Sequence, residues 1–217
     1  GVTGVQTCAL PILGGKSDPR DRREPFLKFR AHGMITRGGA KMSKSRGNII
    51  NPDEMVATFG ADTVRMYLMF LGPYAQGGDW RDEAITGIRR FLERVWRWYF
   101  EEMAGQHTPR GAAGADASGE PVGGGLGARP MARGDLVKLH QTIRKGGADI
   151  EAMSYNTAIA ALMECLNALR QAGTVDDFAR EAFCILLAPF APHLAEEIWS
   201  GALGGAPSVA DARWPRY

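Results

Sequence analysis

The 217-residue sequence is poor in cysteine and histidine and has no long apolar run, and each shortage excludes a class of protein. Its three cysteines, Cys8, Cys165 and Cys184, are far apart and never in C-x-x-C spacing. An odd, scattered set of thiols builds neither a disulfide framework nor a zinc site, and it suits a reducing cytoplasm. The longest apolar stretches, Met66 to Leu71 and Ile185 to Pro192, fall far short of the roughly 20 residues a membrane span requires. Residues 1–13 end in an apolar patch, but no basic stretch precedes it and no clean cleavage site follows, so a signal peptide is not expected. A net charge of +2 excludes both an acidic tail and a polycation, so any nucleic-acid contact must come from local clusters. No segment alternates apolar and polar residues, and nothing repeats, so an extended sheet is not expected either.

What is present is ordinary globular material, 45% hydrophobic and 23% charged, enough to bury a core. Residues 1–23 have no period and read as irregular, either loop or sequence foreign to the protein. From Arg20 to Arg46 there are nine Lys and Arg against two acids, with Gly33, Gly38 and Gly39 among them, the composition of a basic, flexible loop. Asn51-Pro52-Asp53-Glu54 then supplies an N-cap, a first-turn proline and a capping-box glutamate, so a short helix starts there and closes at Phe59-Gly60. Val64, Tyr67, Leu68 and Leu71 share one face of the next helix. A longer helix is expected over 82–103, with Ile85, Ile88, Leu92, Val95, Trp96, Tyr99 and Met103 inward and a basic polar side. Residues 105–130 hold eight Gly, three Pro and five Ala, the composition of a flexible linker. Beyond it, Leu136, Leu139, Ile143 and Ile150 mark a helix expected to bend or fray at Gly146-Gly147. Asn156 is expected to cap the next helix, with Ile159, Leu162, Met163, Leu166 and Leu169 on one face. Asp176 or Asp177 opens another, broken by Pro189 and Pro192, and His193 to Trp199 forms the last.

The segment with chemistry is Lys41-Met42-Ser43-Lys44-Ser45-Arg46-Gly47-Asn48. Cations, hydroxyls and an asparagine stand beside glycines that let backbone approach a polyanion, which is the make-up of a phosphate clamp. It is not a P-loop, because no G-x-x-x-x-G-K-[ST] occurs. A short basic run taken alone is more often a solvated loop. Here the surroundings are specific: Lys41 to Ser45 spell KMSKS, and Gly47-Asn48, Asn51-Pro52 and Gly60-Ala61-Asp62-Thr63-Val64-Arg65 follow. This series resembles the class I aminoacyl-tRNA synthetases for leucine, isoleucine, valine and methionine. Tyr67 to Pro73, Trp80 and Phe91 to Trp96 are most similar to the bacterial leucine branch, as are Glu24-Pro25-Phe26 and Gly33-Met34-Ile35 upstream. Met153 to Ala158 and Leu187 to Glu197 resemble its helical anticodon-binding-type domain.

The resemblance implies a mainly α chain. A remnant of the catalytic domain with the signature loop and linking helices would span 24–72, and an antiparallel helical tRNA-binding bundle 73–217, the catalytic α/β domain being largely absent. It also implies an ATP-dependent leucine–tRNA ligase, with ATP accompanied by Mg²⁺, leucine and tRNA(Leu) as partners, working in the cytoplasm. Lys44 and Lys41 would be the catalytic cations, and Lys41, Met42, Ser43, Lys44 and Ser45 the ATP-binding loop. The family's His-x-Gly-His signature has no counterpart among His32, His107, His140 and His193, so the chain is expected to be an internal piece that does not aminoacylate alone. A non-catalytic tRNA-binding module, or the same piece of a valine, isoleucine or methionine enzyme, are the competing readings.

Arg89, Arg90, Arg94 and Arg97 are candidates for tRNA phosphates, although Glu93, Glu101 and Glu102 could pair with them in a solvated helix face. Trp80, Trp96, Trp98 and Trp199 are expected in the core, His140 and His193 in packing or capping roles. Cys165 and Cys184 are expected as small buried hydrophobes, and no metal site is expected in the chain.

Overall fold

The computed structural model describes residues 30–103, 131–172 and 174–217. The irregular start at 1–23 and the linker at 105–130 lie outside the described residues. The elements run β1 (Met34–Arg37), β2 (Ala40–Lys41), α1 (Pro52–Phe59), α2 (Ala61–Phe70), β3 (Gly77–Trp80), α3 (Asp82–Arg97), α4 (Arg133–Glu151), α5 (Tyr155–Gln171), α6 (Asp177–Leu187) and α7 (Pro192–Glu197). The fold is mainly α, as the periodicity requires.

Within the stretch expected to be a flexible basic loop, the described residues include β1 and β2, which join β3 in a small sheet of order β2-β1-β3. Gly38 and Gly39 both take positive φ, 60° and 73°, which suits the tight turn that returns β1 antiparallel onto β2. β3 then pairs parallel to β1, Met34 opposite Gly77 and Arg37 opposite Trp80, after a crossover through α1 and α2. Strands of two to four residues are too short for a period of two to register. Gly77 is required here: its φ is 75°, and a Cβ would stand 2.2 Å from the Met34 carbonyl oxygen.

Asn51 caps α1 as expected, its side chain accepting from the Asp53 N–H at 3.1 Å. In α2 the buried face is Val64, Met66 and Tyr67, whereas Leu68 is 43% exposed. In α3 and the turn that follows it, Ile85, Ile88, Leu92, Val95, Trp98 and Tyr99 are buried as expected and Phe91 joins them, whereas Trp96, expected inward, is 41% exposed. Helices on that side claim the larger rings, for Trp98 packs edge-on against Phe183, with centroids 5.8 Å apart. A π-helical turn over Trp98–Glu102 ends the helix and keeps Trp98 and Tyr99 inward.

α4 runs as one helix through Gly146-Gly147, without the fraying expected there. Packing overrides propensity at this pair. A Cβ on Gly146 would reach within 3.5 Å of Leu186, and one on Gly147 within 3.4 Å of the Trp214 indole nitrogen, so neighbours close on both. α5 begins one residue before Asn156, with Ser154 at the cap position, and Thr157 ties it back to α4 by donating to Asp149 at 2.6 Å. α4 and α5 form a helical hairpin against which α6 packs. Asp176 caps α6, accepting from the Ala179 N–H at 2.8 Å. The side chains of α2 to α7 join one continuous core that includes Trp80, Ile143, Leu166, Phe183 and Trp199. Cys165 and Cys184 lie in it, and burial pushes their thiols up to about 11 and about 12, so both behave as apolar filler.

Candidate functional site

The signature segment leaves β2 at Lys41 and forms a single 3₁₀ turn over Lys44–Arg46, closed by Gly47 in the left-handed conformation with φ of 64°. Inside it the Arg46 N–H donates to the Ser43 carbonyl and the Gly47 N–H to that of Lys44, both at 3.2 Å. The Ser43 and Ser45 hydroxyls meet at 3.2 Å. Asn48 spans the loop: its Oδ1 accepts from the Ser43 N–H at 2.8 Å, and its Nδ2 donates to the Lys41 carbonyl at 3.3 Å. Met42 on one side and Ile50 on the other pack partly buried against the core. Lys41, Lys44, Ser45 and Arg46 are exposed, and neither lysine forms an ion pair among the described residues. The structure thus brings the loop candidates together, with Met42 serving as the anchor beneath the two lysines.

A second layer, which the sequence did not reveal, fixes the base of this loop. The Asp79 carboxylate on β3 accepts from the Gly39 N–H at 2.9 Å and from the Thr36 hydroxyl at 2.7 Å. Those two bonds to the charged form hold its carboxyl below the usual range. Asp82 accepts from the Trp80 indole at 2.8 Å and pairs with Arg37 at 3.1 Å. The Tyr67 hydroxyl donates to the Arg81 carbonyl and accepts from its N–H, at 2.9 and 2.8 Å. Most of these partners are some 40 residues apart in the chain, so no local pattern could have paired them.

The four candidate arginines on α3 are not equivalent. Arg89 pairs with Glu93 at 2.9 Å and lines a cleft of about 430 Å³ with Asp62, Trp96 and His193. Arg94 is half-buried, its guanidinium 5.9 Å from the centroid of the Phe91 ring. Arg90 and Arg97 are exposed, Arg97 donating weakly to the Glu93 carbonyl at 3.5 Å. Glu102 is engaged elsewhere, accepting from Arg170 Nε at 3.0 Å. His193 is engaged by the carboxylate of α2, its Nδ1 lying 2.8 Å from Asp62. Among the described residues no group of three or more His, Cys, Asp or Glu could hold a metal ion. No helix among them is long and apolar enough to cross a membrane.

Family comparison agrees with this geometry. Residues 17–81 match the model for tRNA synthetases class I (I, L, M and V), and residues 135–217 match the anticodon-binding domain of tRNA ligase. A leucine–tRNA ligase of Dehalococcoides mccartyi is 41% identical over 204 residues. Over both matched stretches the chain is similar to the class I tRNA synthetases. A leucine–tRNA ligase of Chlorobium limicola is 42% identical over 195 residues, covering 89% of this chain and 22% of its own. Among solved structures, the leucyl-tRNA synthetase of Agrobacterium radiobacter, in a ternary complex with tRNA and LeuAMS, superposes with a TM-score of 0.71. It is 31% identical, and the match covers 96% of this chain and 26% of that one. Mycobacterium tuberculosis methionyl-tRNA synthetase shares the fold at a TM-score of 0.61 and 22% identity, over 85% of this chain and 41% of that one. The chain spans about a quarter of the length of these leucine relatives, 23% for the Dehalococcoides enzyme.

Proposed function

We propose that this chain is the part of a leucine–tRNA ligase that supplies the phosphate-stabilising loop for leucine activation and a helical bundle that docks tRNA(Leu). The observation that carries this reading is the ordered KMSKS turn, which presents Lys41 and Lys44 on an anchored loop with no carboxylate partner among the described residues. In the activation step a leucine carboxylate oxygen bonds to the α-phosphorus of ATP. The bond from that phosphorus to the bridging oxygen breaks, and pyrophosphate leaves with the electron pair. Negative charge builds on the departing phosphates, so cations aimed there lower the barrier without covalent chemistry. Lys44 carries this role, Lys41 assists, and Ser43 and Ser45 shape the turn. Mg²⁺ belongs to ATP as its counter-ion.

In this reading residues 24–72 end the catalytic domain and 73–217 form the docking bundle, with 105–130 as a linker and the site of action the cytoplasm. Leucine is favoured over isoleucine, valine and methionine because relatives at 40–42% identity carry the leucine name. On the bundle, Arg90 and Arg97 are exposed cations that meet tRNA phosphates, while Arg89, exposed but paired with Glu93, and half-buried Arg94 serve chiefly to close the helix surface. The experiment is leucine-dependent pyrophosphate exchange by a full-length ligase carrying this segment. Exchange with leucine supports the reading, and exchange only with valine, isoleucine or methionine overturns it.

A further inference from the structure

One carboxamide ties the two ends of the loop together. Asn48 uses its acceptor on the Ser43 N–H at 2.8 Å and its donor on the Lys41 carbonyl at 3.3 Å, closing residues 41–48 into a ring. Both lysines sit within that ring, Lys41 at its start and Lys44 at the first position of the 3₁₀ turn. The ring is held to the body at two other points, where Met42 and Ile50 pack against the core. Its base is held separately by Asp79 on Gly39. Removing the carboxamide therefore leaves the loop attached and changes only its curvature.

We propose that Asn48 is a positioning residue, a staple that sets the spacing and direction of Lys41 and Lys44 so that both ammonium groups close on one triphosphate. The proposal rests on the assignment of these lysines to ATP. A carboxamide suits the role because it offers a donor and an acceptor side by side. A carboxylate would face the Lys41 carbonyl with a lone pair and place a negative charge beside the phosphates. A preformed clamp also spares the reaction the cost of ordering two long side chains as charge develops.

The test is a double-mutant cycle on pyrophosphate exchange in a full-length ligase carrying this segment, with Asn48→Ala, Lys44→Ala and the two combined. Asn48→Ala is expected to lower kcat about 10- to 100-fold, the scale of a misaligned catalytic group. KM for leucine and the melting temperature should stay near wild type. In the Lys44→Ala background the same change should cost less than about 3-fold, because Asn48 acts through the lysine. Asn48→Asp should fail to rescue. Full additivity of the two losses would overturn the positioning role, as would an unchanged rate in Asn48→Ala. A fall in melting temperature that tracks the lost activity would reduce Asn48 to a structural residue. If Lys44→Ala alone leaves exchange unchanged, the assignment of the lysines fails instead, and the two failures are distinguished within one experiment.

Discussion

Asp62 and His193 lie 131 residues apart in the chain, yet the Asp62 Oδ1 stands 2.8 Å from His193 Nδ1. The other carboxylate oxygen accepts the Leu194 N–H at the same distance, so one side chain from α2 caps α7 and joins the signature-loop side of the fold to the bundle. The Asp62→Ala variant leaves the first turn of α7 uncapped. It should lose about 1–2 kcal/mol by urea denaturation, the cost of a strong N-cap. Asp62→Asn, which retains an acceptor, should lose less.

Asp79 gives the loop base a pH dependence. Its folded-state pKa lies below the ordinary carboxylate value, so its bonds contribute fully above that value and are lost as pH falls through the lowered one. Amide exchange over residues 36–41, compared between pH 5 and pH 3 after correction for intrinsic rates, should show the hairpin loosening at the lower pH. Asp79→Asn should loosen it at pH 7 and flatten the pH response.

The two neighbouring tryptophans of α3 separate core from surface. Trp98 is fully buried, and Trp98→Ala should cost about 3–5 kcal/mol in urea denaturation. Trp96 is 41% exposed and stacks on Phe100 with centroids 4.1 Å apart. Trp96→Ala should cost about 1 kcal/mol, the scale of an aromatic pair at a surface.

That contrast shows what could be read from the chain and what could not. Helices α1 to α7 were legible because caps such as Asn51 and Asp176 and apolar faces such as Ile159-Leu162-Leu166-Leu169 are local signals. The edge of the buried face of α3 was not, since Phe91 and Trp96 flank the same stripe and only the neighbouring helices decide between them. The β1–β2–β3 sheet was hidden by strands of two to four residues. Its carboxylate anchors, Asp79 and Asp82, pair with groups some 40 residues away. The signature residues themselves were legible by their motif, but the staple formed by Asn48 required coordinates.

The proposed docking of tRNA on α3 rests on charge. Arg90 and Arg97 are exposed, whereas Arg89 is paired with Glu93 and Arg94 is half-buried over Phe91. Replacing Arg90 and Arg97 together by Ala should weaken tRNA binding to the full-length ligase and flatten its log–log salt dependence by about 1–2, one counterion per lost phosphate contact. Arg94→Ala should leave the salt slope unchanged. Titration of tRNA at several salt concentrations distinguishes the two.

The most direct measurement is single-turnover kinetics of a full-length leucine–tRNA ligase carrying this segment with Lys44→Ala, in which activation and transfer are timed separately. Formation of leucyl-adenylate from ATP and leucine should slow by about 10²–10³, the usual loss for one transition-state donor. Transfer of leucine from preformed adenylate to tRNA should stay within a few-fold of wild type. An unchanged activation rate would contradict the assignment of the loop to the phosphates of ATP.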